Sequence, residues 1–287
     1  MFGFLNINKP EGITSFGVIA RLRKIYNIKQ IGHAGTLDPL ATGVLPIAVG
    51  KAARLLEFLD TDKAYTCECE FGKVSNTYDT EGTVEFFTES KLNYAEVESS
   101  LMKFKGELLQ TPPLFSAVHH NGKRLYELAR KGQVPTDIKK RKVTVYEINL
   151  LQFDEKTQKA QFAVRCSSGT YIRSIVHDLG QALGVGAVMT GLTRTEAGGM
   201  KIETSVNIEE LQESGAPERY LINPLDVISC KRRILTDDEY NKVVCGVEIK
   251  NGESSENGNI LLVKDGNIAA IGQVEQDVVK IKKVFMR

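Results

Sequence analysis

The apolar and polar positions change period several times along the chain, and each change predicts an element. Phe4-Leu5-Asn6-Ile7-Asn8 alternates, which is the period of a strand. Lys9-Pro10-Glu11-Gly12 interrupts it as a turn. Thr14 or Ser15 then caps a helix to about Tyr26, with Val18, Leu22 and Ile25 at i, i+4 and i+7 as its buried face. Arg21, Arg23 and Lys24 fall largely on other faces. Val44 to Val49 is a strand-like run, and Ala52 to Leu59 reads as a short helix. An alternating strand follows Asp60-Thr61-Asp62 and runs to about Gly72.

Val97, Leu101 and Phe104 predict a helix within 90–104, and Leu125, Leu128 and Ala129 another after Gly122. Residues 142–148 and 159–166 are predicted strands, with a hairpin-type turn at Asp154-Glu155-Lys156-Thr157 between them. Ile172, Ile175, Val176 and Leu179 mark an amphipathic helix from near Thr170. The composition loosens around Gly215-Ala216-Pro217, and a domain boundary is expected there, ending at about Leu225. Beyond it, a short helix (237–244) precedes strands at 258–263, 267–272 and 278–281, separated by turns such as Asp265-Gly266.

The 287 residues suffice for one large domain and a small second one. No apolar run reaches 18 residues, and Met1 to Asn6 lacks a basic n-region, so neither a membrane span nor a signal peptide is expected. The five cysteines form no CxxC pair and have no nearby histidine set, which argues against zinc and for reduced thiols in the cytoplasm.

Net charge is +1, which does not by itself predict a nucleic-acid partner. The distribution changes that picture. Residues 103–142 carry ten Lys/Arg against three Asp/Glu, a local excess of seven positive charges. Such a field suits a phosphate backbone, although a solvated charged surface has the same composition.

The candidate chemistry starts at Gly32-His33-Ala34-Gly35-Thr36-Leu37-Asp38-Pro39-Leu40-Ala41-Thr42-Gly43-Val44-Leu45. Its glycines permit positive φ and close backbone approach, and Pro39 pushes Asp38 out of the helical region. The expected picture is a shaped loop on a sheet edge, holding out one carboxylate. Composition alone equally allows a Gly-rich turn whose aspartate bonds its own backbone.

This stretch closely resembles the catalytic motif of the TruB family of tRNA pseudouridine synthases, which isomerise the T-loop uridine at tRNA position 55. Other segments agree: Asn8-Lys9-Pro10-Glu11-Gly12-Ile13-Thr14-Ser15, Lys63-Ala64-Tyr65, Thr77 to Gly82, Gln110 to Arg130, Cys166 to Gly180 and Gly191 to Gly198. The resemblance implies an α+β fold with a mixed, mainly antiparallel sheet in residues 1–225. A thumb insertion at about 105–145 and a small PUA-type β-barrel in residues 226–287 complete it. It implies Asp38 as nucleophile and His33 as the residue that helps displace the target base. Tyr65 would stack on the uracil, Tyr171 and Leu192 would line the pocket, and Arg173 would pair with Asp38. A cation in the first turn of a helix is mildly unfavourable, which also argues for an acidic partner of Arg173. Lys9 is expected to bond the active-site loop. Lys123, Arg124, Arg130 and Lys131 of the thumb would contact RNA, with Phe, Tyr and His interleaved to stack on splayed bases.

The implied reaction breaks a C–N glycosidic bond and forms a C–C bond with no redox change, so no cofactor and no metal are expected. The carboxylate would attack the sugar, attack the base or take a sugar proton; the sequence does not choose. The expected partner is tRNA, with no membrane and no obligate protein partner, the chain acting as a monomer. Two other readings remain: a non-catalytic RNA-binding or tRNA-folding protein, and an Asp-dependent hydrolase. The hydrolase needs a second acid or base in the Asp38 loop, which is absent.

Overall fold

The opening alternation becomes strand β1 (Phe2–Lys9), but both of its faces are buried: Phe4 on one side and Leu5 and Ile7 on the other are fully enclosed. The computed structural model describes residues 1–135, 137–252 and 257–286. After β1 come α1 (Ser15–Tyr26), β2 (Ile31–His33), β3 (Thr42–Gly50), β4 (Lys63–Phe71), α2 (Tyr94–Leu101) and β5 (Gly106–Gln110). Then follow α3 (Leu125–Ala129), β6 (Arg141–Asp154), β7 (Lys159–Cys166), α4 (Ile172–Ala182), β8 (Ala187–Ala197) and β9 (Met200–Lys201).

These nine strands form one sheet in the order β1-β3-β8-β4-β7-β6-β5, with β2 against β3 and β9 against β8. Its pairings are antiparallel, apart from a short parallel contact of Thr42 with Thr193 and Gly43 with Arg194. The mixed, mainly antiparallel α+β architecture is therefore as expected. One face of the sheet packs on α1 and α4 through Leu5, Val18, Leu22, Ile175 and Leu179.

Several local expectations change. Residues 51–58 form a 3₁₀ helix. Helix α2 starts only at Tyr94, where Asn93 and Glu96 make a reciprocal capping box. Helix α4 starts at Ile172, slightly later than the expected start near Thr170, with Tyr171 as its N-cap. The Gly-rich loop is not on a sheet edge: β3, which follows it, has β1 on one side and β2 and β8 on the other.

The C-terminal part comprises β10 (Lys231–Ile234), α5 (Asp237–Val244), β11 (Ile249–Lys250), β12 (Gly258–Lys264), β13 (Asn267–Glu275) and β14 (Val278–Val284). They form a second five-stranded sheet, β10-β12-β13-β14-β11, in keeping with a PUA-like module. Strand β10 lacks apolar alternation, which hid it from the sequence pattern; it joins β12 in parallel at the edge. The second face of the main sheet and the C-terminal sheet share one core, in which Phe4, Val44 and Ala48 meet Leu261, Ile271 and Phe285. The Lys51 ammonium donates to the Phe285 carbonyl at 3.1 Å, and Arg54 donates to the Val284 carbonyl at 3.0 Å. Among the described residues no helix is long and apolar enough to cross a membrane.

Candidate active site

The loop carrying Asp38 runs between β2 and β3 and is tied down from below. Leu37 and Ala41 are buried and flank the aspartate as apolar anchors. The Ser15 hydroxyl, at the start of α1, accepts from the Leu37 amide at 2.8 Å. Lys9 is fully buried, and its ammonium donates to the carbonyls of Pro10, Ile13 and Pro39 at 2.9, 2.8 and 3.2 Å. Lys9 thus does bond the loop, as expected. Burial lowers its pKa to about 8, against the opposing pull of the Asp38 carboxylate. Two glycines are geometrically required. Gly35 has φ +90°, and Gly43, with φ +96°, leaves a Cβ only 2.3 Å from the Arg194 carbonyl oxygen.

Asp38 is partly open to solvent, its side chain 37% exposed. Its Oδ2 lies 3.0 Å from Nη2 of Arg173, which is 6% exposed. Arg173 is the second residue of α4. The helix start is fixed by the Gln110 side chain, which donates to the Tyr171 carbonyl and accepts from the Tyr171 amide. The expected acidic partner is present, together with a second one that the sequence reading missed. Nη1 of Arg173 is 3.3 Å from Oδ2 of Asp79, whose side chain is 1% exposed. Nη1 and Nη2 also donate to the carbonyls of Thr77 and Phe115 at 3.1 and 3.0 Å. Asp79 in turn accepts from the Thr77 hydroxyl at 2.5 Å and the Glu81 amide at 3.0 Å. Tyr78, at φ +67°, stacks on His177 with centroids 3.9 Å apart. Asp38–Arg173–Asp79 is therefore a continuous chain of ion pairs whose buried members also make hydrogen bonds to Thr77, Phe115 and Glu81.

Tyr65 is nearly buried on β4, directly across from Arg194 on β8. Arg194 is fully buried; Nε donates to the Val44 carbonyl at 2.7 Å and Nη2 to the Gly35 carbonyl at 3.3 Å. It also hydrogen-bonds the Tyr65 hydroxyl. Burial raises the Tyr65 pKa to about 12, so the phenol is neutral at physiological pH.

These groups open on one cleft of about 800 Å³, large enough for a nucleoside. Asp38, Tyr65, Tyr171, Arg173 and Leu192 all line it, from four separate stretches of chain. Of the four thumb cations, all exposed, Arg124 and Arg130 line the cleft on either side of Tyr126, with Arg130 5.4 Å from its ring. Lys123 and Lys131 lie outside the lining. His33 also stands outside it, at the end of β2; burial and the Arg194 charge lower its pKa.

Asp79 and Arg194 are the site residues that sequence reasoning missed. The signal for Asp79 was its polar turn, Thr77 to Gly82. That for Arg194 was a cation between two threonines within the Gly191 to Gly198 segment.

A family model for the N-terminal domain of TruB family pseudouridylate synthases matches residues 23–172, and one for the tRNA pseudouridylate synthase B C-terminal domain matches 173–228. The tRNA pseudouridine synthase B of Lactobacillus johnsonii is 40% identical, covering 99% of this chain and 98% of its own length. That of Clostridium tetani is 37% identical over the whole of both chains. Among solved structures, a Cbf5-Nop10-Gar1 complex contains a chain of TM-score 0.75 and 27% identity, covering 99% of this chain and 85% of that one. Fold and matches together define a pseudouridine synthase, an isomerase that modifies RNA. Within that class, the chain belongs to the TruB family of pseudouridylate synthases.

Proposed function

We propose that the chain converts the T-loop uridine at position 55 of tRNA into pseudouridine, with Asp38 as the catalytic nucleophile. The observation that carries this reading is the half-open Asp38 carboxylate, paired with a buried Arg173 in the same cleft as Tyr65. The relatives' own name, tRNA pseudouridine synthase B, supports the substrate.

A uridine inside a folded loop is out of reach of this carboxylate, so the base must be flipped into the cleft. Tyr65 stacks on it, Leu192 and Tyr171 wall it in, and His33 assists its displacement. Asp38 breaks the glycosidic bond by attack on the sugar, by attack on the base or by taking a sugar proton. The uracil, held against the apolar walls and shielded from water, turns and rejoins through C5. The C5 proton is then removed, and Tyr65 enters this step as a neutral phenol. Bonds broken and formed balance within the nucleotide, so the reaction requires no cofactor. Lys123, Arg124, Arg130 and Lys131 hold the RNA backbone, and residues 226–287 act as a PUA-like RNA-binding module. The chain works on tRNA in the cytoplasm, as a monomer without an obligate protein partner.

The test is incubation with an unmodified tRNA transcript and site-resolved detection of pseudouridine, for the wild type and Asp38→Asn. The wild type is expected to modify position 55. Asp38→Asn should abolish modification while tRNA affinity stays within about tenfold, about 1.4 kcal/mol. Binding without modification by the wild type would favour a tRNA-folding protein instead.

A further inference from the structure

We propose that Lys63 is a phosphate-binding residue of the cleft, taking a phosphodiester oxygen of the RNA next to the flipped uridine. This deepens the reading of the cleft as an RNA-modifying site and rests on it.

Lys63 opens β4, two residues before Tyr65, so both side chains project from one face of the strand. Both line the cleft with Asp38. The ammonium lies over the backbone of the Asp38 loop: a Cβ at Gly35 would sit 3.5 Å from Lys63 Nζ. Lys63 is half-buried, and among the described residues no hydrogen bond or ion pair reaches its ammonium.

No neighbouring carboxylate makes an ion pair with Lys63 among the described residues. Asp62 accepts from the Tyr146 hydroxyl at 3.2 Å and attracts the Lys63 ammonium only from a distance. Asp38 and Asp79 are both paired with Arg173. Arg194, fully buried and without a carboxylate partner among the described residues, adds a second cation on the same side. Burial, then the charge of Arg194, lowers the Lys63 pKa below the ordinary lysine value.

A desolvated ammonium next to another cation is relieved by an anion. Uracil and ribose are neutral, so the anion that an RNA substrate brings is its phosphodiester. Arg124 and Arg130, in solvent across the cleft, can meet several phosphates along the strand. Lys63, held beside Asp38 and Tyr65, meets only the phosphate attached to the reacting nucleotide, and so fixes its register.

The experiment uses the full chain and a T-arm stem-loop RNA with a single neutral methylphosphonate, placed either 5′ or 3′ of the target uridine. Binding titrations and single-turnover conversion are measured for the wild type, Lys63→Gln and Lys63→Arg. Lys63→Gln is expected to bind natural RNA about tenfold more weakly. Its log affinity against log salt slope should be shallower by about 0.7, one single-strand phosphate contact. Lys63→Arg should recover most of both. One of the two neutral linkages should weaken the wild type by a similar factor and leave Lys63→Gln unchanged, which identifies the phosphate.

Equal weakening of wild type and Lys63→Gln by both linkages would overturn the proposal. So would wild-type affinity of Lys63→Gln. Should that variant misfold, wild-type indifference to both neutral linkages overturns it by itself. Failure of the wild type to make pseudouridine in natural RNA is a separate readout, and it removes the functional reading rather than the binding subsite.

Discussion

Arg173 and Arg130 face the same cleft, yet their guanidinium groups sit in different media. Arg173 is 6% exposed, and its two terminal nitrogens meet Asp38, Asp79 and two carbonyls. Arg130 is exposed and touches the Tyr126 ring. A buried cation is held in one geometry and interacts through a weakly screening medium, so it fixes the position of the Asp38 carboxylate. An exposed cation gains little from any one partner, is screened by salt, and serves attraction over a distance. Under the proposed function the floor of the cleft serves chemistry and the thumb wall serves capture, although both are made of the same residue types.

The largest expected effect concerns the floor. Tyr65→Phe keeps the ring and removes the hydroxyl that meets Arg194. If the hydroxyl takes part in proton removal, single-turnover conversion should fall by roughly 10²–10⁴-fold with tRNA binding nearly intact. A Phe variant as fast as the wild type would reduce Tyr65 to a stacking platform.

Asp79→Asn tests whether Arg173 needs both carboxylates. Removing one partner of a buried pair typically costs about 3–5 kcal/mol, here divided between stability and positioning of Asp38. Single-turnover rate should drop on the order of a hundredfold, while a binding titration changes by less than about tenfold. If binding falls and rate does not, the floor and wall are not separated as described.

On the wall, Lys123, Arg124, Arg130 and Lys131 are replaced together by Gln. The log affinity against log salt slope should flatten by up to about 3, at roughly 0.7 per phosphate contact. Conversion at saturating enzyme should change only a few-fold. An unchanged slope would move the RNA surface to another part of the molecule.

The smallest effect is the pH response of Lys9. Its folded pKa is about 8 and its ordinary value 10.5, so between these pH values the folded chain holds fewer protons than the unfolded one. This group therefore makes stability rise with pH across that window. Denaturant midpoints of the wild type and Lys9→Met, compared from about pH 7 to pH 11, should show the rise only in the wild type. Parallel curves would mean that Lys9 keeps an ordinary pKa.

Much of this was legible in the sequence. β1, α1, β4, β7 and α4 follow their apolar periodicity closely. The misfit of a cation at the start of α4 pointed to an acidic partner, and the half-open Asp38 and the buried Asp79 are both there. The 3₁₀ form of 51–58 was not legible, because three to four residues per turn leave nearly the same apolar spacing over two turns. Nor was the burial of Asp79, since a turn rich in Thr, Asp and Glu has the composition of a solvated loop.

Periodicity, turn chemistry and motif spacing are short-range properties, so by itself the sequence determined where the elements run. It also determined that Asp38 sits on a non-helical, glycine-shaped backbone. Which distant charges meet depends on which strands become neighbours, and that only the tertiary structure decided. The antiparallel pairing of β4 with β8 sets Tyr65 against Arg194. The single parallel contact of β3 with β8 carries Arg194 beneath the Asp38 loop. The same long-range packing decided the relation of the two sheets. Each has its own apolar pattern, which reads as two separable units, yet Phe4, Val44 and Phe285 enter one core. A face is apolar whether it meets its own domain or another, so local pattern does not encode the difference.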